Sequence, residues 1–150
     1  MPTRRSGSPR RCWAQVTDRG GAPDEPPCPC GSGEDYPCCC GPLHRGQRPA
    51  DTAVALMRSR FTAFALGDPD YLLATWHPST RPRTLHLDQR IVWRRLQIVD
   101  TDAGGPVDAT GVVEFRAQYL LDGKRHILHE RSSFARDAGR WVYVDGDVGE

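Results

Sequence analysis

The chain has 150 residues, 20 of them basic and 19 acidic, for a formal net charge of +1. That length holds one compact domain with a small appendage, and so balanced a charge gives no global pull toward nucleic acid or an anionic membrane. No apolar run reaches the roughly 18 residues that a membrane span requires.

Residues 1–27 are rich in Arg, Gly, Pro and Ser and show no apolar period, so they read as a disordered tail. The tail has arginines but no apolar stretch of the secretory kind, and a cytoplasmic location is expected. Its pairs Arg4-Arg5 and Arg10-Arg11 read as solvated, because Asp18, Asp24 and Glu25 follow closely. Cys12 stands alone. The other five cysteines, Cys28, Cys30, Cys38, Cys39 and Cys40, fall within thirteen positions, and none occurs in the 110 residues after them. A disulfide framework spreads its cysteines through the domain it staples, so this cluster reads as a metal module. Cys28 and Cys30 share one side of an extended backbone. Gly31 and Gly33 permit a sharp turn and leave amides to donate to sulfur. Cys39 and Cys40, being adjacent, converge only where the backbone turns, as at the start of a helix. Four thiolates form a closed tetrahedral zinc site, preferred here over a redox dithiol pair or an iron–sulfur cluster, and a closed site is structural rather than catalytic.

Residues 41–50 form a linker with two prolines. A first helix follows, with Asp51 expected to cap it and Gly67 to end it. Val54, Met57, Phe61, Phe64 and Ala65 make its apolar stripe, flanked on the polar side by Arg58 and Arg60. This stripe is expected to pack on the sheet without help from the cysteines. A short second helix starts at Asp68-Pro69, presents Tyr71, Leu72 and Trp76, and stops at His77-Pro78. The period then changes to two. Strands are expected over 93–100, over 112–121 with Val113, Phe115, Ala117 and Tyr119 on one face, over 126–135, and over 140–145. Turns at Asp122-Gly123 and at 137–139 join the last three. Helices followed by an antiparallel meander make an α+β fold.

The cysteine segment, Cys-Pro-Cys-Gly-Ser-Gly from Cys28 with Tyr36 and then Cys39-Cys40, resembles the SEC-C zinc motif known from the C-terminus of the SecA preprotein translocase. The match selects Cys28, Cys30, Cys39 and Cys40 as ligands of Zn2+ and leaves Cys38 as an extra thiol. Leu56-Met57-Arg58-Ser59-Arg60-Phe61, Thr75-Trp76-His77-Pro78, His129-Glu130-Arg131-Ser132-Ser133-Phe134 and Gly139-Arg140-Trp141-Val142-Tyr143 extend the likeness to the YchJ-type bacterial proteins. The resemblance implies a zinc knuckle over 28–42 and a nuclear transport factor 2-like domain over 50–146. In that domain a curved antiparallel sheet wraps N-terminal helices into a cone. In SecA the similar motif contacts a chaperone and acidic lipid, which makes an unknown protein the expected partner of the knuckle. A small molecule in the cone is the other expected ligand. The oligomeric state is left open, a homodimer included.

Such cones host both enzymes and binders. The candidate catalytic residues are His77, Glu130 and Asp145. His77 is either a base or a helix-end residue. Glu130 shares a strand face with Leu128, Ser132 and Phe134, so it is expected to face the helices, paired there with Arg58, Arg60 or Arg116 or used as an acid. Asp145 is either a pocket acid or a turn residue. Trp93, Trp141 and Tyr143 read as core aromatics. Two functions follow from these readings: a zinc-stabilised binding or adaptor protein, or a small-molecule enzyme using acid–base residues in the cone.

Overall fold

Two tight turns set the second half of the chain. Asp122 and Gly123 both take positive φ (54° and 80°), as do Ala138 and Gly139 (56° and 85°). Two left-handed residues in succession match the right-handed twist of the strands they join. In the computed structural model, which describes residues 27–148, these turns connect β2 (Thr110–Leu121), β3 (Lys124–Asp137) and β4 (Arg140–Val148). With β1 (Ile91–Ala103) they form an antiparallel sheet in the order β1-β2-β3-β4. This is the expected α+β meander, with longer strands than the sequence pattern marked. The expectations for the tail and for Cys12 lie outside the described residues.

The inner sheet face carries Leu96, Val113, Phe115, Ala117, Phe134 and Trp141, all buried. Helix α2 (Ala53–Leu66) packs across it through Met57 and Phe61. Two shorter helices, α1 (Cys40–His44) and α3 (Pro69–Ala74), flank α2 in the chain. Asp68 caps α3 by accepting from the Tyr71 amide at 3.2 Å. Beyond α3 the chain runs along the edge of β4. Tyr143 N donates to Thr75 O at 2.8 Å, and His77 N donates to Tyr143 O at 2.7 Å. This strap closes one end of the sheet over α2. Among the described residues no helix is long and apolar enough to cross a membrane.

Three expectations about α2 need correcting. Its cap is Thr52, whose side chain accepts from the Ala55 amide at 3.0 Å, and not Asp51. Its buried surface is also far wider than one stripe. Leu56, Ser59, Thr62 and Ala63 are buried as well as Met57 and Phe61: Leu56 joins the core against the sheet, Ser59 meets Tyr71, and Thr62 meets the cysteine module. Arg60, assigned to the polar side, is only 3% exposed. Its spacing held the reason: it lies three residues after Met57 and four before Phe64, on the same face.

The cap assignment is directly testable. Thr52→Ala should lower stability by about 1 kcal/mol, whereas Asp51→Ala should stay within about 0.5 kcal/mol of the parent. Urea unfolding of the two variants measures both, and equal losses would return the cap to Asp51.

Candidate functional site

The cysteine module has little apolar content, so its order comes from backbone turns and from what it touches. Gly31 and Gly33 take φ of 84° and 93°. Cys28 N donates to Glu34 O at 2.7 Å, and Gly31 N donates to Cys28 O at 3.1 Å, which closes the loop. The Gly31 amide is therefore spent on a carbonyl. The described donor to a sulfur in this loop is the Ser32 hydroxyl, 3.1 Å from Cys39 Sγ. A short 3-10 turn over Tyr36–Cys38 leads to Cys39, whose φ and ψ of −120° and −96° bend the chain into α1. Adjacent Cys39 and Cys40 are thereby brought to one side, as convergence at a helix start requires.

The Sγ atoms of Cys28, Cys30, Cys39 and Cys40 all lie within 4.8 Å of one another. The separations are 3.5 Å for Cys30–Cys39 and 3.9 Å for Cys39–Cys40. Sulfurs at the corners of a tetrahedron with metal–sulfur bonds of about 2.3 Å sit about 3.8 Å apart, so the donor set fits a four-thiolate ion. Cys38 is buried but lies outside this set. Four sulfurs so close cannot all ionise without a cation between them, and their protons divide unevenly. Hydrogen bonds from Cys28 first, then from Cys39 and Cys40, hold Cys30 far below the ordinary thiol range. Cys39 and Cys40 are pushed up, each by Cys28 first and by Cys30 next.

The module does not stand apart from the main domain. Thr62, fully buried on α2, donates to Cys40 Sγ at 3.4 Å and lies 3.6 Å from Cys28 Sγ. Arg58 donates to Cys30 O at 2.9 Å. His44 donates from Nε2 to Ser59 O at 2.8 Å while its Nδ1 accepts from the Tyr36 hydroxyl at 2.8 Å, which fixes its tautomer. The knuckle thus docks on α2 through Arg58, Ser59 and Thr62, where the sequence reading expected two nearly independent parts.

The second feature lies on the other side of α2. A cavity of about 170 Å³ is walled by Phe61, Phe64, Trp76, Trp93, Phe115 and Tyr143. Arg60, Glu130 and Ser132 also reach it. Glu130 does face the helices, and its Oε2 accepts from Ser132 Oγ at 3.1 Å and from Tyr143 Oη at 3.3 Å. Burial first, then the Glu130 carboxylate, raises the Tyr143 hydroxyl above its ordinary range. None of the three expected arginines forms an ion pair with Glu130. Arg58 is taken by Cys30, and Arg116 is exposed. Arg60 lies between the Trp76 and Tyr143 rings, 5.2 and 4.6 Å from their centroids. It donates to Leu72 O at 2.8 Å and to Thr75 Oγ1 at 2.7 Å, and burial lowers its pKa to about 10.

The other two candidates lie outside this cavity. His77 Nδ1 accepts from the Ser79 amide at 3.0 Å, so the ring organises the turn after α3. Asp145 is exposed. A bulge at Val144 explains its placement. Tyr143 pairs with Phe134 and Asp145 with Ser133, so the extra residue turns Asp145 to the outer face and brings Gly146 inward opposite Ser132. His129 also faces outward, 2.5 Å from Glu114. The sequence reading missed Thr62 and Gly146 and put Arg60 on the polar side of its helix. Spacing could have found the two helix residues, but a bulge leaves no mark in a strand pattern.

Gly146 carries a specific load. A Cβ built there would overlap Glu130 Oε2. Gly146→Ala should therefore cost about 1–3 kcal/mol, and in a Glu130→Ala background it should cost little. A double-mutant cycle in urea should give a coupling of at least about 1 kcal/mol, and additive losses would show that the carboxylate does not sit against this glycine.

Residues 52–146 match the family described as YchJ, middle NTF2-like domain. A UPF0225 protein of Corynebacterium efficiens is 54% identical over 125 residues, which cover 82% of this chain and 94% of that protein. The solution structure of a SEC-C motif containing protein from Rhodopseudomonas palustris is similar with a TM-score of 0.71 and 35% identity, covering 82% of this chain and 98% of that one. A crystal structure of a SEC-C motif containing protein from Psychrobacter arcticus gives 0.66 and 27%, with 82% of each chain covered.

Proposed function

The chain belongs to the YchJ (UPF0225) family, and on that premise we propose that it is a binding or adaptor protein held in shape by one structural zinc ion. Cys28, Cys30, Cys39 and Cys40 are its ligands. The observation that carries the reading is the convergence of these four sulfurs within 4.8 Å, three of the residues buried, against α2. Four protein thiolates fill the coordination sphere of zinc, so the ion supplies folding energy and no reaction site. The Cys40 thiolate faces Thr62, Arg58 holds the Cys30 carbonyl, and the exposed loop 31–35 is left to meet a protein partner.

The alternative, an acid–base enzyme, finds weaker support in the cavity. Among the described residues lining it, Glu130 is the one carboxylate and no histidine is present. General acid–base chemistry needs a group positioned to return the proton that another removes. Arg60 stays charged at neutral pH with a pKa of about 10, and the Tyr143 hydroxyl is raised, so neither serves readily near pH 7. An aromatic cavity with one oriented carboxylate suits binding.

Elemental analysis of the purified protein should return about one zinc per chain, with X-ray absorption showing only sulfur neighbours at about 2.3 Å. Cys38→Ser should keep the metal, whereas Cys39→Ser should lose most of its affinity. Because Thr62 ties the sulfurs to the centre of α2, a chelator should lower the melting temperature of the whole protein rather than melt the knuckle alone. A metal-free protein with normal stability would overturn the reading. Capture of the same partner by wild type and by a folded four-cysteine variant would remove the knuckle from partner binding.

A further inference from the structure

The outer face of the sheet divides by charge. Cross-strand partners share a face. The registers that put Val113, Phe115 and Ala117 on the core leave Val92, Leu120 and Ile127 on the opposite face, with Arg95, Arg116 and Arg125, toward the β2–β3 turn. The three arginines are exposed, and among the described residues none has a carboxylate partner. Toward its other end the same face carries Asp100, Asp102, Glu114, Asp145 and Asp147, with Arg131 held between Asp100 and Glu114. A surface that serves only solubility intersperses its signs. The basic end is also where the face is apolar, with Val92 50% and Ile127 59% exposed. Leu120 pairs directly with Val92 and lies diagonal to Ile127, so the three aliphatic side chains adjoin among the arginines.

This layout discriminates among three occupants. Single-stranded nucleic acid is held by basic grooves with aromatic side chains for its bases, and among the described residues no Phe, Tyr or Trp stands on this face. The carboxylates begin one row beyond Arg116 and repel a long polyanion. A second copy of the chain would need both ends. Four strands about 4.8 Å apart and about nine residues long give a face of roughly 20 by 30 Å. That is short of the about 1,000 Å² per partner of an obligate dimer, and a two-fold axis would set the mid-face Arg116 near its own copy. A short acidic segment with aliphatic side chains uses the basic end alone. Its carboxylates meet guanidinium forks that suit bidentate pairing, and its aliphatic groups cover Val92, Leu120 and Ile127. We propose that this end of the outer sheet face, Arg95, Arg116 and Arg125 around Val92, Leu120 and Ile127, is the docking surface for an acidic, aliphatic-bearing segment of a partner protein. This inference rests on the adaptor reading above and gives it a second surface, different from the knuckle loop.

The test uses the full-length, zinc-loaded protein and the fluorescence anisotropy of a labelled peptide of about eight residues, glutamates with two leucines, which reaches about 26 Å when extended. Three probes accompany it: the same peptide with Gln for Glu, the same with Ser for Leu, and a uridine oligonucleotide of equal length. The Glu–Leu peptide should bind saturably and at least about ten-fold more tightly than each of the three. Arg95→Gln combined with Arg125→Gln should weaken it about ten-fold, and Ile127→Ser should weaken it several-fold, with melting temperatures near that of the parent. Asp145→Asn combined with Asp147→Asn, at the acidic end, should not weaken it. Equal binding of the Ser peptide would reduce the face to unspecific charge pairing and overturn the proposal. Tighter binding of the oligonucleotide would do the same, as would peptide binding that survives the arginine substitutions. A dimer in sedimentation that those substitutions dissociate would give the face to a second copy instead. A protein that holds zinc, melts normally and does not bind the peptide would overturn this docking surface alone and leave the zinc-stabilised scaffold standing. Loss of the scaffold reading itself would appear as absence of metal.

Discussion

Helix α2 has almost no face to give to water, and this constraint organises the rest of the molecule. Eight of its fourteen residues are buried, and three of those are Ser59, Arg60 and Thr62. A buried polar side chain must find a partner or cost the fold a substantial part of its small net stability. Each finds one from a different direction. The Tyr71 hydroxyl reaches Ser59 Oγ, which donates onward to Leu56 O. Arg60 reaches the end of α3 through Leu72 O and Thr75. Thr62 reaches the sulfurs. The cysteine module, α3 and the sheet are thus assembled around the polar groups of one helix as much as around its apolar ones.

The consequence for the module is that it cannot be treated as a free appendage. Its own segment has few apolar residues, and its tertiary contacts are hydrogen bonds to backbone and sulfur from Arg58, His44 and Thr62. Such bonds are directional. They hold only while the sulfurs keep their arrangement, which four close thiols resist and a divalent cation stabilises. A cation among the sulfurs would therefore support the same contacts that hold the module on α2.

Much of this was legible in the sequence. The four converging thiols were readable because their spacing is local, and the turn at Cys39 was demanded if two adjacent thiols were to converge. The hairpins were readable because Asp122-Gly123 announces a left-handed pair. The inward face of Glu130 followed from the two-residue period it shares with Leu128, Ser132 and Phe134. What escaped lies where that reasoning fails. Arg60 was assigned by residue type although its spacing put it among Met57, Phe61 and Phe64. Thr52 and Asp51 are both good caps, and only tertiary geometry chose between them. Asp145, left open between a pocket acid and a turn residue, lies on the outer face because a bulge at Val144 reverses the alternation, and nothing in the residues themselves marks that inserted position.

The same helix also joins the cysteine cluster to the aromatic cavity. Arg60 and Thr62 are two residues apart, which is about 200° of rotation on a helix, so they point to opposite faces. One lies between Trp76 and Tyr143 at the cavity, and the other touches Cys40 and lies close to Cys28. A displacement of α2 along its axis would move both together. The Arg60 guanidinium is fixed at its far end by Leu72 O and Thr75 Oγ1. Thr75 also accepts the Tyr143 amide, and Tyr143 carries the hydroxyl that orients Glu130. The path from sulfur to carboxylate is thus a short series of packed and hydrogen-bonded groups. Most of these groups are buried or half-buried, and close-packed interiors resist gradual deformation. The cysteine cluster and the cavity thus lean on opposite faces of one buried helix, and each side is fixed by a polar residue of that helix, Thr62 on one and Arg60 on the other.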